Sequence, residues 1–218
     1  MLDATKKITN FRLVVAWVGD ELEGTVTQST DKEVLRKELY DRRKRAARET
    51  PHKAETMAEC LGQWLEALGA LRVGSYMPFR SEPDINGMLQ GWKSKEEGRC
   101  LALPVVDDAR LGMMHYALWE ESTVLCKGAF GIVEPVHSPT VVPDIVLSPC
   151  VGVSPNGWRL GNGGGFFDRY LALCRASGAH PVTVAVALDC LIVDGLQPEA
   201  HDIAFDWIAT ESGVRRAC

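Results

Sequence analysis

The chain has 218 residues, 46% of them hydrophobic and 24% charged, with a formal net charge of -5. This composition fits one soluble globular domain with a sizeable core, and the acidic balance argues against a general nucleic-acid binder, which would be basic. The seven cysteines are scattered, odd in number and without a C-x-x-C pair, a pattern of reduced thiols in a cytoplasmic protein with no zinc spacing.

Residues 1–30 read as an N-terminal extension to which no role is assigned. Phe11 to Val18 has the character of a strand, and Gly24 to Thr30 that of a polar linker. The apolar run Leu13 to Val18 is too short to span a bilayer, and acidic residues follow it rather than a small-residue cleavage site. The main domain is expected to span 31–218. A helix is predicted from Thr30, capped by Thr30 or Asp31 and with Glu33 early. Leu35 and Leu39 lie one turn apart, and Lys32 and Arg36 share a face. The other charges up to Glu49 read as a solvated face laced with salt bridges. Thr50-Pro51 breaks this helix. A second, from His52 to Leu68, carries Met57, Leu61, Trp64, Leu65 and Leu68 on one side, and Gly69 ends it.

Arg72 to Met77 reads as a strand that opens into the loop Pro78 to Asp84, which contains Glu82. Strand ends that lead into loops are where α/β proteins place binding groups, although a loop Glu beside a Pro is commonly just solvated. A helix is predicted over Asp84 to Glu97, and strands over Arg99 to Val106 and Met113 to Trp119. His115 has no visible partner and reads as structural. In the Gly-rich stretch Lys127 to Pro135, Phe130 is either a stacking platform for a flat ring or a hydrophobic plug. A central strand follows at Asp144 to Val151, a turn at Ser154 to Gly157, and a further strand at Pro181 to Leu188. This alternation argues for a largely parallel sheet with helices on both faces.

The densest motif is Arg159-Leu160-Gly161-Asn162-Gly163-Gly164-Gly165-Phe166-Phe167-Asp168-Arg169, with four glycines in five residues. Without Cβ atoms, backbone N–H groups can turn towards an anion. A loop of this kind running into a helix N-terminus makes a phosphate cradle. Asp168 in the first turn of the predicted helix suits the dipole or a metal. Glycine spacing alone fits a tight turn equally well. The stretch is neither G-x-x-x-x-G-K-[ST] nor a G-x-G-x-x-G opening an early βαβ unit.

As a whole, this motif resembles the signature of the 5-formyltetrahydrofolate cyclo-ligase (methenyltetrahydrofolate synthetase) family. Other segments resemble the family in the same order: Lys32-x-x-Leu35-Arg36, the loop from Met77 through Glu82 to Asp84, Met114-His115-Tyr116, Phe130-Gly131-Ile132-x-Glu134-Pro135, and Pro198-x-x-His201-Asp202-x-x-x-Asp206. Together they cover roughly residues 31–212. The resemblance implies a three-layer α/β/α fold and ATP-dependent closure of 5-formyltetrahydrofolate to 5,10-methenyltetrahydrofolate, with release of ADP and phosphate. ATP and Mg²⁺ are the implied cofactors and a reduced folate the small-molecule partner, with no nucleic acid, membrane or obligate protein partner. By the same resemblance, ATP is held by Lys32, Arg36, Arg159, Leu160, Gly161, Asn162, Gly163, Gly164, Gly165, Phe166 and Phe167. Mg²⁺ is held by Asp168 and Asp202, and Arg159 and Asp168 are catalytic. Glu82 accepts the pterin N–H donors in parallel, and Met77, Phe130 and Phe166 complete the folate pocket. Asn162 stands where relatives often carry Tyr, Arg or Met, and Phe167 where Tyr is usual. Two alternatives are a non-catalytic folate- or nucleotide-binding paralogue and an α/β enzyme acting on a phosphorylated sugar.

Overall fold

The structure is a computed structural model and describes residues 27–218; the strand expected at Phe11 to Val18 lies outside the described residues. Helices α1 (Thr27–Glu49) and α2 (His52–Leu68) lead into strand β1 (Arg72–Gly74), helix α3 (Asn86–Ser94) and strands β2 (Cys100–Asp108) and β3 (Met113–Trp119). A small hairpin, β4 (Leu125–Lys127) and β5 (Val133–Pro135), precedes β6 (Ile145–Pro149). Strands β7 (Gly152–Val153) and β8 (Arg159–Leu160) then deliver the chain to α4 (Phe166–Ala176), followed by β9 (Val182–Val186), β10 (Trp207–Thr210) and β11 (Gly213–Arg216).

Seven strands form one sheet in the order β11-β10-β9-β6-β1-β2-β3. The five central strands are parallel, and the two edges, β11 and β3, are antiparallel. The register separates the two faces. Trp207 pairs with Val184, Val184 with Leu147, Ile145 with Val73, Val73 with Leu101, and Leu101 with Trp119. Paired residues, and residues two apart on a strand, share a face. Tyr116 is three residues from Trp119 and therefore lies on the other face. Trp64 of α2 packs on Trp207 with ring centroids 5.2 Å apart, and Tyr170 of α4 packs on Tyr116 at 5.1 Å. α2 and α4 thus cover opposite faces, giving the three-layer α/β/α arrangement expected from the sequence.

From β1 the chain steps along the sheet to β2, whereas from β6 it steps the other way to β9. The crevice beyond the carboxyl ends of β1 and β6 is therefore the topological switch point, where open α/β sheets bind ligands. Helix α1 runs across this end, with Leu39 fully buried.

Several boundaries differ from the expected ones. α1 begins at Thr27, so Thr30 and Asp31 lie within it instead of capping it. β1 stops at Gly74, and beyond it the Asn86 side chain donates to the Tyr76 carbonyl at 3.0 Å and accepts from the Ser75 hydroxyl at 2.8 Å. Asp84 lies two residues ahead of α3, where it accepts from the Asn86 N–H at 3.0 Å instead of joining the helix. Arg43, grouped by sequence with the solvated charges, is 0% exposed. All seven cysteines are free thiols, and no helix among the described residues is long and apolar enough to cross a membrane.

Candidate active site

Two loops leave the switch point. The first follows β1 and carries Met77, Arg80 and Glu82. The second follows β6, forms the β7–β8 hairpin and becomes the glycine loop. Gly163 and Gly165 adopt φ of 98° and 64°, conformations that side-chain-bearing residues rarely take. The first backbone bond of α4 runs from the Arg169 N–H to the Gly165 carbonyl. Among the described residues, the N–H groups of residues 162–168 have no acceptor. A run of free donors at a helix N-terminus is the physical basis of an anion site.

The expected cations and acids converge on this loop. The Arg36 Nε donates to the Gly161 carbonyl at 3.0 Å. The Lys32 Nζ lies 2.7 Å from Glu199 and 3.5 Å from Asp202. Arg159 is bound to Asp168 at 2.7 Å beneath the loop, its guanidinium lying over the rings of Phe167 and Phe205 at 5.3 Å and 5.0 Å. The second Asp168 oxygen accepts from the Ile203 N–H at 3.2 Å, which brings the Asp202 segment against the glycine-loop helix. Asp202 in turn accepts from the Glu199 N–H at 2.7 Å.

Across the crevice, Glu82 is buried. Its Oε2 accepts from the Phe79 N–H at 2.9 Å, while Oε1 is fully enclosed without a hydrogen-bond donor. Arg43 approaches Oε1 only to 3.7 Å. Burial pushes the Glu82 carboxyl above the usual glutamate range, and Arg43, the Phe79 N–H and Asn162 partly oppose that shift. Arg43 donates to the Arg80 carbonyl at 2.9 Å and to the Cys150 carbonyl at 3.2 Å. It therefore ties together the two loops that leave the switch point. The Tyr40 hydroxyl donates to the Asn162 Oδ1. Met77 is half-buried, its sulfur 3.8 Å from the Asn86 amide nitrogen. Phe130 is 61% exposed with φ of 60°, and its ring meets Phe166 edge-on at 5.8 Å. The His115 Nδ1 lies 2.8 Å from Asp107, a partner not visible in the sequence.

Sequence reasoning passed over Tyr40 and Arg43. Lys32, Arg36, Tyr40 and Arg43 follow the 4-4-3 spacing of one helix face, but the surrounding charges concealed it.

Free backbone donors, cations and two acids around one loop, with a buried half-satisfied carboxylate on the other, make this end of the sheet the candidate active site of an α/β enzyme. The sequence profile of the 5-formyltetrahydrofolate cyclo-ligase family matches residues 28–211, and the chain belongs to that family. It is 31% identical over 167 residues to the 5-formyltetrahydrofolate cyclo-ligase of Mycolicibacterium smegmatis, covering 72% of this chain and 82% of that protein. It is 30% identical over 148 residues to the 5-formyltetrahydrofolate cyclo-ligase of Escherichia coli, covering 65% of this chain and 79% of that protein. The solved 5,10-methenyltetrahydrofolate synthetase of Aquifex aeolicus superposes with a TM-score of 0.71 at 27% identity, covering 85% of this chain and 92% of that one.

Proposed function

We propose that this chain catalyses the ATP- and Mg²⁺-dependent conversion of 5-formyltetrahydrofolate to 5,10-methenyltetrahydrofolate, releasing ADP and phosphate. The observation that carries the reading is that the two loops leaving the ends of β1 and β6 carry, respectively, the buried, unpartnered Oε1 of Glu82 and the free N–H groups of the glycine loop. A buried carboxylate oxygen without a partner is costly, and a ligand that supplies the missing donor offsets that cost. The parallel N–H donors of a pterin fit such a carboxylate.

The formyl oxygen attacks the γ-phosphorus of ATP, and the bond from that phosphorus to the β-bridging oxygen breaks to release ADP. The second folate nitrogen then attacks the activated carbon, the carbon–oxygen bond breaks, and phosphate leaves with that oxygen and takes up the proton lost from the nitrogen. Placement and charge neutralisation make up most of the protein's contribution. The N–H groups of residues 162–168 and Arg36 hold phosphate oxygens, Lys32 exchanges Glu199 for phosphate, and Glu82 orients the pterin. Arg159, buried beside Phe167, fixes the Asp168 carboxylate.

Among the described residues, no three His, Cys, Asp or Glu side chains cluster as a metal cage. Mg²⁺ takes only one or two carboxylates when substrate phosphates supply the other ligands. Asp168 and Asp202 fit that requirement, since each carboxylate keeps lone pairs beyond the hydrogen bonds it accepts. Bound there, Mg²⁺ supplies neutralisation of phosphate charge.

The test is growth of methenyl-product absorbance from 5-formyltetrahydrofolate with Mg²⁺, with and without ATP, in wild type and Asp168→Asn. ATP-dependent growth that is lost in the variant is expected. Folate binding without product would point to a non-catalytic binder, and absence of both would sink the folate assignment.

A further inference from the structure

We propose that Arg169 is a positioning residue for the glycine loop, acting from behind the site through the β2–β3 turn; this rests on the phosphate-binding reading of that loop. The Arg169 Nη1 donates to the Gly164 carbonyl at 2.6 Å. In a trans peptide, that carbonyl and the following N–H point in opposite directions. Holding the Gly164 carbonyl on the Arg169 side therefore turns the Gly165 N–H to the opposite side, where it stands free. Arg36 does the same at the start of the loop, where its grip on the Gly161 carbonyl turns the Asn162 N–H away from it. Two arginines, one from α1 and one from α4, thus fix the peptide orientation at both ends of a segment that glycine would otherwise leave free to wander.

Arg169 has a slot built for it. Gly112, in the β2–β3 turn, adopts φ of 64°, and a Cβ there would lie 2.3 Å from the Arg169 Nη1 and 2.6 Å from the Gly164 carbonyl oxygen. A Cβ at Gly165 would lie 2.6 Å from the same nitrogen. Two glycines from distant parts of the chain leave the space that the guanidinium occupies. Among the described residues, Arg169 forms no ion pair with a carboxylate. The Asp168-Arg169 pair therefore divides its work: Asp168 faces Arg159 and the Asp202 segment, and Arg169 holds the loop from outside. A loop already held in its binding shape loses less conformational freedom when the nucleotide arrives.

The experiment combines calorimetric titration of full-length protein with ATP and Mg²⁺ and steady-state KM for both substrates, in wild type, Arg169→Ala, Arg169→Lys, Gly112→Ala and the Arg169→Ala/Gly112→Ala double variant. Arg169→Ala and Gly112→Ala should each weaken ATP binding about tenfold, roughly the loss of one hydrogen bond to a charged group, with the folate KM unchanged. The double variant should lose more than Arg169→Ala but less than the product of the two single losses, because a Cβ at Gly112 displaces the arginine and also meets the Gly164 carbonyl oxygen directly at 2.6 Å. Arg169→Lys should recover part of the loss, since its ammonium keeps one donor for the carbonyl. An unchanged ATP Kd in Arg169→Ala, equal losses for both substrates, or effects that multiply in the double variant would each overturn the proposal. If Arg169→Ala does not fold, the Arg169→Lys and Gly112→Ala titrations decide it. Wild type that binds ATP but makes no methenyl product would sink the cyclo-ligase reading, leaving the titrations to judge the clamp; wild type that binds no ATP overturns both.

Discussion

Arg159 and Asp168 meet at 2.7 Å beneath the glycine loop, with side chains only 6% and 10% exposed. The pair joins the start of β8 to the first turn of α4 and so closes the loop into a ring. Removing one member of a buried ion pair strands the other charge and costs about 3–5 kcal/mol. Asp168→Ala should therefore lower urea-unfolding stability by about 3 kcal/mol as well as abolish turnover. Asp168→Asn keeps one acceptor oxygen, enough for Arg159 or the Ile203 N–H but not both, so it should recover only part of that stability and none of the turnover. Equal destabilisation of the two variants would show that charge, and not hydrogen bonding, secures the loop.

Glu82 makes the opposite trade. Its folded-state pKa is raised, chiefly by burial and against the pull of Arg43. A raised carboxyl pKa means that the folded state binds the proton more tightly than the unfolded chain does. Its stabilising contribution is complete below the unfolded value and is lost as pH rises through the folded value. Glu82→Gln, which mimics the protonated form, should therefore melt no lower than wild type at neutral pH, and the gap should close as pH falls towards the ordinary glutamate range. The same variant should raise the folate KM because it loses an acceptor for the pterin. In wild type, that KM should rise on acidification at a pH above the usual glutamate range. A Gln variant that melts well below wild type at neutral pH would show that Glu82 is needed to neutralise Arg43.

Much of the fold was legible because strands and helices alternate with clear periodicity, and the paired faces of the sheet follow from that alternation. The glycine loop and its flanking Arg159 and Asp168 were legible because they are contiguous. The burial of Arg43 was hidden because a charged residue within a charged run looks solvated, and its partners are backbone carbonyls, which leave no mark on sequence. The meeting of Asp168 with the Asp202 segment, and of Arg169 with Gly112, depends on strand order and on the β2–β3 turn, which no local pattern encodes. β1 ended early because beyond it the Ser75 hydroxyl and the Tyr76 carbonyl bond to the Asn86 side chain and not to a neighbouring strand, a competition that strand periodicity does not register.

Phe130 offers a test of the folate side of the crevice. Its ring is largely exposed and meets only the edge of Phe166. Phe130→Ala removes one aromatic pair, worth about 0.5–1.5 kcal/mol, so the melting temperature should change little. If the ring covers the pterin, the folate KM should rise severalfold while the ATP KM holds. Parallel increases in both constants would instead assign Phe130 to holding Phe166 and the glycine loop.

Gly74 links the core to the site. It is the last residue of β1, immediately before the loop that carries Glu82, and it faces the same side of the sheet as Tyr116. A Cβ at this position would lie 2.8 Å from the Tyr116 ring and 2.8 Å from Pro143. Tyr116 cannot swing aside freely, because it is 0% exposed and held edge-on by Tyr170 at 5.1 Å. Forcing an extra methyl group into a packed core costs about 1–3 kcal/mol. Gly74→Ala should lower the urea-unfolding midpoint accordingly. It should also raise the folate KM more than the ATP KM, since the displaced strand end carries the Glu82 loop and not the glycine loop. Combining it with Tyr116→Leu opens space at the clash and should return part of the midpoint. An unchanged midpoint in the single variant would mean that the Tyr116 ring and Pro143 yield together, and that the β1 terminus is not the fixed anchor of the folate side.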